Sequence, residues 1–309
     1  MAFEWPSRPS TAAKPWKNSK PSFDSPTRPN RPLPDKKAVM TPNFLETILA
    51  AKRIEIEATA RRLPQAALEA ACKRPWMRRP FPGKSHAPDG SGIHIIAEVK
   101  RASPSKGAIR MDLDPVGYAR MCQSAGASAM SVLTEPAFFK GSLDDARIVR
   151  SAVSLPVLRK DFILTPYQVY ETRAAGLDAL LLIVRILDPV LFSELLQLSR
   201  ELDLDALVEV TSEAEIDVAL KAGATLIGIN ARNLVTFETD ISRCARLRPI
   251  IGPAATAIAL SGIRNRQDIE TLAHAGFRHF LIGEALCRSP HPAAVLEEFL
   301  KDIEPSRKE

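Results

Sequence analysis

Short apolar runs recur along the chain at 93–99, 128–133, 155–159, 178–184, 205–210, 225–229, 255–260 and 279–282. Runs this short, rich in Ile, Leu, Val and Ala, read as strands buried on both faces. Between them lie stretches of helical spacing, among them "DDARIVRSA", "YQVYETRAAG", "PVLFSELLQLSRE", "SEAEIDVALKAG" and "NRQDIETLAHAG". Gly126, Gly176, Gly223 and Gly276 fall where a helix is expected to stop. Strand alternating with helix implies a parallel sheet. Eight such units in about 200 residues predict an α/β chain with a (β/α)8 TIM barrel rather than an open doubly wound sheet. "PAAVLEEFLKDI" supplies the last helix. No GxGxxG follows any run, so a dinucleotide fold lacks its main sign.

Three regions follow from this pattern. Residues 93–303 form the barrel. Residues 41–92 form an N-terminal helical extension and a linker: Leu45, Ile48, Leu49 and Ile56 fall near helical spacing within 42–72, Pro64 punctuates the stretch, and 73–92 reads as irregular. Residues 1–40 are rich in Pro and Ser and carry eight Lys/Arg against three Asp/Glu. Such a segment buries too little apolar surface to fold alone and reads as a disordered basic tail. It is a solvated leader without specific function, a docking tail for a partner, or a targeting segment; its prolines oppose the amphipathic helix a targeting segment needs.

Charge and composition narrow the function classes. The net charge is +6, and all but one unit of it lies in that tail, which weakens a nucleic-acid reading. No uncharged apolar run is long enough to span a bilayer, and no secretory leader pattern is visible. Cys72, Cys122, Cys244 and Cys287 are scattered with no CxxC pair, which fits a reducing, cytoplasmic setting and argues against zinc. His94 lies in the first run, where a lone histidine is more often packed than catalytic.

The chemistry is concentrated at the C-terminal ends of the runs, where barrels build their active sites. "IIAEVKRASPSKG" puts Glu98 and Lys100 into a core strand, two apart and so on one face. Buried ions are costly unless each is paired. Thr134-Glu135, Lys160-Asp161-Phe162, Glu209, Asn230 with Arg232, Ser261-Gly262 and Gly283-Glu284 end or follow later runs. The lysines are candidate cation clamps or acids, and Glu98 and Glu209 candidate acid and base. Phe138, Phe139 and Phe162 could wall a ring. The glycine turns after the last two runs match a phosphate site. No carboxylate has His or Cys partners at metal-ligand spacing, so neither metal nor cofactor is implied.

In order, "IIAEVKRASPSKG", "SVLTEPAFFKGSLDD", "LPVLRKDFILTPYQVYETRAAGLDALLLI", "LVEV", "IGINARNL" and "FLIGEAL" resemble the signatures of indole-3-glycerol phosphate synthase, a tryptophan-pathway family, from about Phe44 to Glu298. The resemblance implies ring closure of 1-(2-carboxyphenylamino)-1-deoxyribulose 5-phosphate with loss of CO2 and water, without a cofactor. It implies that Lys160 and Lys100 are the acid candidates, Glu209 serves the dehydration, and Glu98 is a charged partner. Asn230 and Ser261 orient substrate with Arg232 in support. Ser103, Pro104, Phe139, Phe162 and Leu181 match an anthranilate pocket, and Gly262, Gly283 and Glu284 a phosphate site. The partner is a phosphosugar carrying an anthranilate ring, with contact to other enzymes of the pathway as a further expectation.

One position departs from the family's pattern. Its usual Glu-Ser-Gly reads Leu260-Ser261-Gly262 here, so a carboxylate is missing. The alternative this raises is a catalytically weakened paralogue acting as a binding or scaffold subunit. A different phosphosugar barrel, such as an isomerase, is opposed by the aromatic wall. Deleting residues 1–40 is expected to leave the melting temperature and kcat nearly unchanged, because the segment has no core of its own; thermal melting and turnover of the truncated chain check this.

Overall fold

The computed structural model describes residues 44–82, 92–233 and 237–301. The basic tail assigned to residues 1–40 lies outside them. Eight parallel strands close into a barrel: β1 His94–Val99, β2 Ala129–Leu133, β3 Val157–Lys160, β4 Ala179–Ile183, β5 Asp205–Val210, β6 Leu226–Asn230, β7 Thr256–Leu260 and β8 His279–Ile282. Each strand pairs with the next in sequence, and β8 pairs with β1. This is the TIM barrel the apolar runs predict, with helices between the strands. No helix among the described residues is long and apolar enough to cross a membrane.

Strand parity divides the core in two. One set of positions, including Ile95, Ala97, Met130, Val132, Val208 and Ile227, points outward and packs under the helices. The alternate set, including Ile96, Ala129, Leu158, Leu181, Leu207 and Leu260, fills the barrel. Both faces of a strand are therefore apolar, which is why the runs are continuous rather than alternating. The helices start on side-chain caps: Asp114, Ser142, Asp188, Ser212 and Asn265 each accept backbone N–H groups of the following turn.

The N-terminal region is more structured than its sequence predicts. Helices α1 (Phe44–Arg62) and α2 (Gln65–Cys72) meet at Pro64, as the punctuation anticipates. Residues 73–82 are irregular in backbone, as read from sequence, yet they run beneath the N-terminal ends of the strands and are anchored there. Arg78 pairs with Asp205 at 2.7 Å, the Arg79 guanidinium donates to the carbonyls of Arg150, Val153 and Leu155, and the Arg79 N–H donates to Asp178. Phe81, fully buried, donates its N–H to Asp205 at 3.0 Å and joins the interior cluster as the floor of the barrel. The segment reads as irregular because its partners lie up to 127 residues away. His94 stacks on His279, ring centroids 4.7 Å apart, at the strand starts and thus far from the mouth.

Phe81→Ala should remove a fully enclosed aromatic side chain and lower stability by about 3–5 kcal/mol. The turnover of the folded fraction should be nearly unchanged, since the floor and the mouth are opposite ends. Chemical denaturation together with kcat at low temperature measures both.

Candidate active site

The C-terminal ends of the strands surround a cavity of about 510 Å³, a size suited to a small organic ligand. Glu98 from β1, Lys160 closing β3, Glu209 from β5 and Asn230 closing β6 all face it, as do Lys100 and Ser261 just beyond β1 and β7. Ser103, Pro104, Phe139, Phe162 and Leu181 line it from the ends of β1 to β4, and Arg232, Gly262, Gly283 and Glu284 from the ends of β6 to β8. Phe139 and Phe162 stand 6.2 Å apart in a tilted pair. Phe138 instead turns edge-on to Phe44 of α1 at 5.3 Å and does not line the cavity.

Glu98 and Glu209 each meet a lysine. Lys100 Nζ lies 2.6 Å from Glu98 Oε1, and Lys160 Nζ lies 3.2 Å from Glu209 Oε2. The pairs explain how a core strand tolerates both signs of charge. Asn230 Nδ2 donates to the other Glu209 oxygen at 2.8 Å, and the Arg232 N–H donates to Asn230 Oδ1 at 2.9 Å. Arg232 then reaches Glu284 at 3.6 Å, and Glu284 pairs with Arg288 at 3.1 Å. A polar chain thus runs from β3 through β5 and β6 to the turn after β8. Among the lining residues Lys100, Lys106, Lys160, Arg232, Arg264 and Arg288 outnumber Glu98, Asp161, Glu209 and Glu284, so the mouth favours an anion.

Backbone conformation supplies the rest of the rim. Ser261 and Gly262 both have positive φ, 65° and 80°. A side chain at 262 would come within 2.7 Å of Thr239, so glycine is required there twice over. A Cβ on Gly283 would collide with Glu98 Oε1, so the bare backbone after β8 makes room for the carboxylate of β1. Ser103 carries a buried hydroxyl with no hydrogen-bond partner among the described residues, a group a polar ligand would satisfy.

Some residues singled out from the sequence turn away. Thr134 donates to Asp161 at 2.6 Å, and Glu135 accepts the N–H groups of Ala137, Phe138 and Phe139, shaping the loop after β2. Cys122 and Cys244 are inert, because burial pushes both thiols up to about 12. Others went unnoticed. Leu45 and Ile48 of α1 close the cavity from above, and Lys52 is buried beside Asp161. Their helical spacing was visible, and the family resemblance implied an extension that caps the mouth; which of its side chains reach the cavity was not visible. Burial opposes charge on Asp161, yet Lys52 and Arg159 outweigh it and hold the carboxyl below the usual range.

The indole-3-glycerol phosphate synthase family model matches residues 45–299. The chain belongs to the indole-3-glycerol phosphate synthase family. It is 48% identical over 261 residues to the indole-3-glycerol phosphate synthase of Desulfosudis oleivorans, covering 84% of this chain and 98% of that protein. Identity to that of Syntrophobacter fumaroxidans is 47%, covering 82% and 96%. A Mycobacterium protein of the same name is 50% identical over 209 residues, covering 68% of this chain and 77% of that one. Among solved structures, thiamine phosphate pyrophosphorylase from Pyrococcus furiosus matches with a TM-score of 0.52 at 14% identity, covering 67% of this chain and 93% of that one, a likeness of fold alone.

Leu260, where this synthase-family chain departs from Glu-Ser-Gly, points into the barrel and is 1% exposed. It leans over Gly228 of β6, so near that a Cβ there would meet its Cδ1 at 2.5 Å, with Leu207 alongside. The leucine closes the interior beneath Asn230, its register partner. Leu260→Glu should therefore lower stability by about 1–3 kcal/mol, from desolvating a carboxylate where a packed leucine sat. Thermal melting of the two proteins side by side is the check.

Proposed function

We propose that this enzyme closes the indole ring of 1-(2-carboxyphenylamino)-1-deoxyribulose 5-phosphate, releasing CO2 and water to form indole-3-glycerol phosphate. The observation that carries the reading is the two lysine–carboxylate pairs at the mouth, set between an aromatic wall and a basic rim. The aromatic end of the substrate fits against Phe139, Phe162 and Leu181. The phosphate fits the opposite rim, against the backbone N–H groups of Gly262, Gly283 and Glu284, with Lys100 within reach.

The ring carbon bearing the carboxylate attacks the C2′ carbonyl, whose oxygen takes up a proton. Lys160 is the donor we assign, because its carboxylate partner is fixed from the far side by Asn230 and holds the ammonium in place. Loss of CO2 restores the aromatic ring. In the dehydration that follows, the C2′ hydroxyl leaves with a proton and C1′ gives one up. Glu209 serves this step, with Lys100 and Glu98 as the second acid–base pair and Ser261 and Arg232 orienting the substrate. Nothing in the site favours a weakened binding subunit: with Leu260 in place, the two carboxylates that the barrel retains are both paired. The phosphosugar substrate follows from the family, and the cytoplasm suits four cysteines that are all unpaired.

Lys160→Met is expected to lower kcat by about 10²-fold or more while the fold survives, since the side chain sits at the open end. Indole fluorescence during turnover measures this. A variant within a few-fold of wild type would transfer the acid role to Lys100, and absence of indole product from the wild type would overturn the reading itself.

A further inference from the structure

Helix α1 turns Leu45, Ile48 and Lys52 toward the barrel, three and then four residues apart and so on one face. Leu45 and Ile48 line the cavity. At the third position of this otherwise apolar stripe stands a lysine whose side chain is 1% exposed. Its ammonium lies 2.8 Å from Glu55 on its own helix and 2.8 Å from Asp161 in the turn after β3. Glu55 remains partly open to solvent, whereas Asp161 is as buried as the lysine. The deep partner is therefore on the barrel and not on the helix.

Asp161 occupies a particular place. Lys160 precedes it and Phe162 follows it. Its Oδ1 accepts the Phe162 N–H at 2.8 Å and meets Lys52. Its Oδ2 accepts from Thr134 Oγ1 at 2.6 Å and from Arg159 at 3.2 Å. Arg159 in turn pairs with Glu171 of the helix Pro166–Ala174 at 2.7 Å. The barrel alone thus supplies three hydrogen-bond donors to this carboxylate, and Lys52 adds an ion pair from outside it. Among the described residues this end of α1 also makes aromatic contacts, Phe44 standing edge-on to Phe138 and Phe237, which specify position less sharply than a buried ion pair.

We propose that the Lys52–Asp161 pair latches α1 over the mouth, making Lys52 a positioning residue that sets affinity for the aromatic end of the substrate. This rests on the synthase reading for the identity of that end. Without Lys52 the turn keeps its donors from Thr134, Arg159 and Phe162, so Lys160 stays in place. What is lost is the hold on Leu45 and Ile48. The binding of the ring weakens more than the chemistry does.

The test uses the full chain with Lys52→Met and with Lys52→Met/Asp161→Asn, the second variant leaving no unpaired buried carboxylate. Lys52→Met should raise KM tenfold or more with kcat within about threefold of wild type, and should speed hydrogen exchange across residues 44–52. The double variant should regain melting temperature yet keep the raised KM, because neutralising Asp161 does not restore the latch. A KM that recovers with the melting temperature would reduce the pair to a structural role and overturn the proposal. So would an unchanged KM, or unchanged exchange over α1, in Lys52→Met. If wild type makes no indole product, the synthase reading falls and the proposal with it; if wild type turns over and KM does not move, only the latch falls.

Discussion

In a closed barrel each strand sends alternate residues into an interior from which water is excluded, so an ionisable side chain survives there only toward an end and only with a partner. Glu98 and Glu209 obey both conditions. Each lies one step inside the mouth, and each faces a lysine within 3.2 Å or less. Beneath them runs an apolar cluster, from Leu207 and Leu260 down to Phe81 at the floor. The apolar filling is what makes the pairs chemically useful. Charges held in a site of low dielectric act more strongly on a substrate than the same charges in water, and need no reorganisation when the reaction begins.

Two consequences follow for the mouth. The pairs cancel much of their own charge, and the basic side chains of the rim then dominate, which suits a substrate carrying a phosphate and a carboxylate. The bare backbone at Gly262 and Gly283 brings N–H groups to the same rim, one glycine giving way to Thr239 and the other to Glu98. Leu260 belongs to the filling rather than to the charged layer. Its side chain occupies the space over Gly228, so the interior closes without a third carboxylate.

The segment ahead of the first strand serves both ends of the barrel. Its first helix roofs the cavity with Leu45 and Ile48, and its last residues seal the floor with Phe81. The roof is joined to the barrel by the Lys52–Asp161 pair and by the packing of Ile56, Ala60 and Leu63 against Tyr167, while the floor is fastened by Arg78 and Arg79 to buried aspartates and to carbonyls between a helix end and β3.

The eight strands were legible from sequence because both faces of each are buried, which leaves an uninterrupted apolar run that no surface strand or amphipathic helix produces. The charged residues at the mouth were legible for the related reason that Glu98, Lys100 and Glu209 interrupt or end such runs, where a charge is conspicuous. Tertiary structure alone decided the pairings. That Lys160 meets Glu209, 49 residues on, depends on the curvature of the barrel and not on any local pattern. Whether Phe138 or its neighbour Phe139 walls the cavity depends on the loop that Glu135 pins. Lys52 and Phe81 were illegible because nothing near them in the chain signals burial: a lysine on a helix ordinarily faces water, and a phenylalanine among prolines ordinarily lies in a loop. Their partners, Asp161 and the barrel interior, come within reach only once the strands have closed.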